Sequence, residues 1–527
     1  MKFSDFAIQA SKECATLAVH PGKNGSVPFW NIEATQFMYV PAFGFSAVPE
    51  CKAYRFSATD ESGKCYSFIS DSADSTLLPI WDKLSEGNAS LTVTALNDDG
   101  TDRANVGTRS FFKLAPFPEK TPEKACAYTE CAKKAYEYTM KQSFVRHWLE
   151  HGTPDPCYDL NTYPSKITSS LIKAMIVYAE LAPEHKEDAM KIAVTAADWL
   201  ISITPRGEHP LANIPPTYYF DFCPDPVKYG IASSPNYELA LRYGDTVMMI
   251  YPAEAGDMYL SLGKATGNKK YFDEALKIGK YYLDNVRENG SWYLVLSKTT
   301  GKPIAENYIA PMERVVPFIL DLYELTGDEA WKCLADKAVA YTEKLQLESY
   351  NWEGQFEDTG TSANYNNLSQ YGPVGLARYY AKYRRDDKKA LETAIELMRF
   401  VEDQFVVWNR PSPARESFTG EAIETEVLKW TTPTGLEQYR CYCPIDASSS
   451  HVINGFLALY EAGCGDIYLA KARALANSIT RVQHENGQIP TFWMHSPEAE
   501  SNFWFNCMFY SCATLNAISK YDDVVFE

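Results

Sequence analysis

Acidic side chains stand just ahead of helical runs at several places in this chain, a placement that suits general acid–base work. Asp358 lies in YNWEGQFEDTG beside Glu357, Asp446 in EQYRCYCPIDASSSHV and Asp159 in PCYDLNTYPSK. Glu306 and Glu313 frame AENYIAPMERV, and Glu498 and Glu500 precede the last apolar run. Two carboxyls from different loops can flank a bond, one protonating a leaving oxygen while the other activates water or attacks. Asp358 and Asp446 are the expected pair, with Glu313 and Asp159 next, because side chains on different loops can face each other across a cleft. Each has a structural alternative. Asp446, followed by Ser448–Ser450, could cap its helix, a use worth ~1 kcal/mol, and Asp358 could anchor its loop through Thr359 and Thr361. Glu313, one turn inside a helix, is costly to bury unless it is paired or used.

A second constellation points to different chemistry. Tyr439, Arg440 and Tyr442 precede His451 in one segment. An Arg can neutralise a carboxylate while Tyr and His serve as base and acid, which is what β-elimination from a uronic acid needs. Aromatic residues make up 14% of the chain, with 35 Tyr and 11 Trp, more than packing requires. Trp352, Tyr365, Trp430 and Trp493 fall in expected loops, where a flat ring serves either the core or the face of a sugar. Other chemistries find little footing. GxSxG, HExxH, a GxGxxG after a strand and the P-loop are absent. The eight His residues are scattered, and the 13 Cys are odd in number and form no CxxC pair. No metal and no cofactor is implied.

These residues are positioned by a repeated pattern. MIVYAELAPEHKEDAMK from Met175, YLSLGKATGNKKYFDEA from Tyr259, ILDLYELTGDEAWKCLA from Ile319, LARYYAKYRRDDKKALE from Leu376 and LALYEAGCGDIYLAKAR from Leu457 share one layout. Each is a helical apolar run, a short polar break and a second helical run: a helix hairpin, which must stack on its neighbours to bury its apolar face. Extra residues between Thr204 and Asp245 and between Val407 and Asp446 make the spacing uneven, as in a closed ring with long loops at one mouth. About twelve helices are expected, the first over Pro122–Lys141 and the last over Asn502–Ser519, in six hairpins with boundaries good to ~2–4 residues. The even-numbered ones are apolar on nearly every face and the odd-numbered ones amphipathic, so an inner ring sits inside an outer one. The loops NGSWY at Asn289, YNWEGQFED at Tyr350 and ENGQIPTFW at Glu485 should gather at the mouth. Before Phe117, short alternating runs separated by Gly, Asp, Ser and Asn predict a β-sandwich. The expected domains are a β-sandwich over 1–117 and a helical barrel over 118–527.

Twelve helices in six hairpins, Gly-Asp breaks and aromatic loops resemble the (α/α)6-barrel carbohydrate-active enzymes. That superfamily includes glycoside hydrolases, polysaccharide lyases and sugar epimerases. The resemblance covers Pro122 to the C-terminus at the level of fold and matches no one family's catalytic motif. It implies an oligosaccharide substrate, with hydrolysis by a carboxyl pair as the first expectation. A uronate lyase is second and an epimerase third. A non-enzymatic helical scaffold would show an open polar groove instead of a ring of Trp, Tyr and carboxylates. The net charge of −18 argues against nucleic acid and anionic membranes as partners. Residues Met1–His20 lack the basic start and apolar stretch of a secretory signal, and no ~20-residue apolar run follows, so the cytoplasm is expected. Self-association is left open.

Overall fold

The computed structural model describes residues 2–22, 29–354, 367–412, 430–438, 442–493 and 503–526. After an N-terminal helix α1 (Phe3–Thr16), twelve helices form the bulk of it. Outer helices are α2 (Tyr128–Met140), α4 (Lys186–Ile203), α6 (Lys269–Asp284), α8 (Glu329–Thr342), α10 (Lys388–Phe405) and α12 (Asp466–Val482). Inner helices are α3 (Pro164–Leu181), α5 (Tyr251–Thr266), α7 (Met312–Thr326), α9 (Tyr371–Tyr383), α11 (Asp446–Glu461) and α13 (Phe505–Ile518). Five hairpins pair each inner helix with the outer helix that follows it, and α13 pairs with α2. Each inner helix packs on the next, and α13 packs back on α3, so the ring closes. This is an (α/α)6 barrel.

The sequence pattern explains both rings. Outer α6 buries Tyr271, Ala275, Ile278 and Tyr282, the stripe a helix presents to one neighbour. Inner α3 buries Ile167, Leu171, Ile172, Met175 and Tyr178 on several faces. Burying each large apolar side chain stabilises the ring by ~1.5–3 kcal/mol. The polar breaks restart the helices. Asn268 accepts from the Lys270 N–H at 3.1 Å, Asp328 from Ala330 at 3.0 Å and Asp387 from Lys389 at 2.9 Å. These side chains satisfy otherwise orphaned donors at three helix starts.

Inner helices all begin at the same end of the ring, and the recurring loops gather there. Gly290 in NGSWY and Gly487 in ENGQ hold left-handed backbones (φ 89° and 98°) in matching turns. A Cβ on either would stand 2.4 Å from a carbonyl of an outer helix, Lys337 in α8 or Lys134 in α2. Trp352 C=O accepts from the Ser369 N–H before α9, and Thr491 C=O from Asp446 N–H at the start of α11. Helical spacing in the sequence begins at Asp245 and at Asn367, but two inner helices start later, at Tyr251 and Tyr371. The residues in between form short strands instead, Thr246–Met248 against Val295–Ser297 and Asn367–Leu368 against Glu353–Gly354. In the first of these ladders, β-branched and apolar residues such as Val247 and Val295 favour the extended pairing before the chain turns inward.

The N-terminal region carries the strands that alternation predicted. They form a five-stranded sheet in the order β2 (Gln36–Phe37), β8 (Asp102–Lys113), β7 (Gly87–Leu96), β4 (Ala53–Thr59), β5 (Cys65–Ser70). A second sheet orders β1 (Ala18–Val19), β3 (Val40–Gly44) and β6 (Asp74–Thr76). Helix α1 was not expected among them. Aromatic rings knit the sheets together, with Phe43 of β3 and Phe56 of β4 at 5.9 Å between centroids.

This region meets the barrel through a buried polar junction. Lys471 of α12 and Glu402 of α10 pair at 2.6 Å, each side chain 2% exposed. Glu402 also accepts from Tyr39 OH at 2.9 Å and Trp408 Nε1 at 3.0 Å. Asp403 accepts from the N–H groups of Met38 (2.5 Å) and Tyr39 (2.7 Å) and from Gln404 Nε2 (2.7 Å). Every oxygen of the two carboxylates has a donor, the condition for burying such groups at tolerable cost.

Candidate active site

Charged and polar residues interrupt the apolar inner helices at lumen-facing positions. On α9 the accessible stripe is Tyr371, Gly375, Arg378 and Lys382, with the residues between them buried. On α3, Lys166 and Lys173 lie two turns apart on one face, and Lys173 reaches Asp257 of α5 at 2.5 Å.

A belt of side chains runs round the lumen at the mouth. Glu254 of α5 pairs with Arg314 of α7 at 2.9 Å. The Arg314 guanidinium lies 4.7 Å from the Tyr371 ring centroid, and that ring packs on His451 of α11 at 4.6 Å. Nδ1 of His451 is 3.1 Å from Tyr510 OH on α13. Across the ring, Lys166 sits over the rings of Trp504 (5.0 Å) and Tyr251 (5.6 Å). Every inner helix contributes. His451 is held neutral, well below the usual histidine range, by burial first and then by the charges of Arg378 and Arg314.

Beside the belt, a cavity of about 280 Å³ opens between the starts of α7 and α9. Glu313, Arg314, Trp352, Gln370, Tyr371 and Glu437 are among its lining residues. Burial raises the Glu313 carboxyl above the ordinary glutamate range, while its own N–H and Arg314 pull the other way. Glu437 accepts from Ser448 Oγ at 2.8 Å, and Tyr371 OH approaches it at 3.5 Å. Among the described residues, two buried polar atoms of the lining lack hydrogen-bond partners: Trp352 Nε1, a donor, and Gln370 Oε1, an acceptor. Such atoms are costly to leave bare and suit a ligand that carries hydroxyl groups.

The residues singled out from the sequence divide accordingly. Glu313 and Trp352 line the cavity, and His451 belongs to the belt. Asp446 is fully buried, accepts from the Ala447 N–H (2.7 Å) and Ser511 Oγ (3.1 Å), and is not among the cavity lining. It therefore ties α11 to α13 and does not cap its helix, whose N-cap is Ile445. Burial pushes its carboxyl well above the usual range. Asp159, half-buried, accepts from Asn236 Nδ2 at 2.9 Å in the loop before α3. The loop tryptophans do not stand out as open platforms: Trp352 is 1% exposed, Trp493 is 3% exposed, and Trp430 packs partly buried against the core. Apolar loops at a closed mouth fold their indoles inward. Asp358, Tyr365, Tyr439 and Arg440 lie outside the described residues, as does the side chain of Tyr442.

Glu437 entered the sequence reading only as the first residue of EQYRCYCPIDASSSHV around Asp446, and Glu254, Arg314, Tyr371, Arg378 and Tyr510 were missed as site residues. The available signal was spacing: polar residues seven apart on otherwise apolar helices, as in Lys166/Lys173 and Tyr371/Arg378.

No family model and no curated protein matches the sequence. Among solved structures, a family 76 glycoside hydrolase from a bovine Bacteroides thetaiotaomicron strain is similar at 11% identity, with 92% of this chain and 96% of that one covered and a TM-score of 0.47. A cellobiose 2-epimerase from Spirochaeta thermophila aligns at 12% identity over 76% of this chain and 98% of its own, with a TM-score of 0.48. An unsaturated glucuronyl hydrolase specific for heparin aligns at 9% identity over 76% and 98%, with a TM-score of 0.45. All are carbohydrate-active enzymes. The barrel assignment rests on the closed helix ring itself.

Proposed function

We propose that this chain is a glycoside hydrolase acting on short oligosaccharides, with Glu313 as general acid and Glu437 as general base. One observation carries the reading: two carboxyls in unlike surroundings line the same cavity. Glu313 is pushed by burial toward its protonated form, the state that can protonate a leaving oxygen. Glu437, which accepts from Ser448, suits the ionised partner that activates water. Tyr371 offers a flat ring beside the cavity, and the buried Trp352 Nε1 and Gln370 Oε1, unpaired among the described residues, are of the kind that sugar hydroxyls satisfy. Asp358, six residues after Trp352 in the sequence, is the next carboxyl to test. The same proposal keeps a β-sandwich over 1–117 ahead of the catalytic barrel over 118–527, in a cytoplasmic enzyme.

The test is a panel of neutral and uronate-containing oligosaccharides. Glu313→Gln and Glu437→Gln should each lower kcat by roughly 10²–10⁴-fold, the usual worth of acid–base assistance, with Tm unchanged. Full turnover in both variants would show the pair to be wrong.

One observation favours β-elimination as a second reading. Neutral His451 touches both Tyr371 and Tyr510, near Arg314, in the arrangement of base, acid and cation that a uronate lyase requires. Its products would absorb in the ultraviolet through a new conjugated double bond.

A further inference from the structure

Several cations facing the lumen are matched by carboxylates, and Arg378 is not. Lys173 pairs with Asp257, Arg314 with Glu254 and Lys382 with Glu324 at 3.3 Å. Arg378 of α9 has no hydrogen-bond or ion-pair partner among the described residues and is exposed. An exposed residue in the middle of an inner helix whose other faces are buried opens into the lumen. Arg378 lies seven residues, two turns, beyond Tyr371, which places it about 10 Å deeper than the belt.

The Arg378 charge is felt at His451 of the belt. There Asn454 Nδ2 donates to Tyr510 OH at 3.2 Å, and that hydroxyl stands 3.1 Å from His451 Nδ1. Nε2 of His451 is buried and, among the described residues, meets no acceptor at full hydrogen-bonding geometry. A planar guanidinium suits a carboxylate or sulfate oxygen pair better than a neutral hydroxyl. A short ligand also fits the net charge of −18, which repels a long polyanion but leaves a shielded lumen able to hold one negative group.

We infer that Arg378 forms an anion subsite inside the barrel, so that the substrate is a short oligosaccharide bearing an acidic sugar. This rests on the hydrolase reading and names its substrate class. Binding of disaccharides to the full chain can be followed by calorimetry with three probes: a neutral, a uronate-containing and a sulfated disaccharide. The wild type should prefer one of the acidic probes by about tenfold or more, the usual worth of a hydrogen bond to a charged group, and the preferred probe identifies the anion. Arg378→Met should abolish that preference, Arg378→Lys should restore part of it, and an unchanged Tm would exclude misfolding. If the neutral disaccharide binds as well as the acidic ones, or if Arg378→Met leaves the preference intact, the subsite is refuted while the hydrolase reading stands. If none of the three binds and no oligosaccharide is cleaved, both fall.

Discussion

Two regions of this protein bury carboxylates, and they treat them in opposite ways. At the junction with the N-terminal sheets, Glu402 and Asp403 have donors on every oxygen, and Lys471 supplies a compensating charge. At the mouth, Glu313 is raised by burial, and the indole and amide lining the same cavity leave a donor and an acceptor open. A completed network fixes structure, whereas an incomplete one is poised to be finished by a ligand. Burial alone therefore does not distinguish a structural carboxylate from a chemical one. The state of its partners does.

The contrast is broken most severely at Lys471. Replacing it with Met strands Glu402 in a dry site, which should cost about 3–5 kcal/mol, read from urea unfolding, while turnover per folded molecule persists. A smaller loss would mean the junction is wetter than its 2% exposures indicate.

Asp403 sharpens the contrast through pH. Burial, aided by the Glu402 charge, raises its carboxyl to about 7 against the pull of its three donors. A folded pKa above the unfolded value of ~3.9 means the native state holds the extra proton between these pH values. Its contribution to stability is thus full at low pH and is lost as pH rises from about 4 through 7. Unfolding curves across that window should show the decline, and Asp403→Asn should flatten it. A stability that rises through the same window in the wild type, with the rise abolished in Asp403→Asn, would show that the donors outweigh burial.

Asp446 should behave as a tie between α11 and α13. Asp446→Asn keeps an acceptor for Ser511, so the cost should be roughly 1–2 kcal/mol at most, with kcat retained. The smallest effect is expected at the mouth. Glu313→Gln removes a carboxyl that burial already disfavours in its charged form, so Tm should hold or rise slightly even as activity collapses. A large drop in Tm would move Glu313 into the structural class.

The twelve barrel helices were legible because apolar spacing, hairpin breaks and N-capping Asn and Asp agreed with one another. Helix α1 was not, since its buried face is Phe6, Ala7, Ala10 and Cys14, mostly small residues that give a weak periodic signal. The junction could not be foreseen either: Met38 and Tyr39 meet Asp403 across more than 360 positions of sequence. Within the site, Glu313 stood out because a carboxyl inside an apolar helix demands a reason, and His451 because it follows Tyr439, Arg440 and Tyr442 in one segment. Tyr371 and Tyr510 did not, because a tyrosine on an inner helix reads equally well as core until its hydroxyl is seen to reach Glu437 or His451.

The central claim, that water is added across a glycosidic bond at the Glu313–Glu437 cavity, is tested most directly by digesting the oligosaccharide panel in ¹⁸O-labelled water. Mass spectrometry of the products reads the outcome for the wild type and for Glu313→Gln. The account predicts one labelled oxygen in each new reducing end from the wild type, and label formation slowed at least about 100-fold in the variant. Unsaturated products without label, or undiminished labelling in Glu313→Gln, would contradict it.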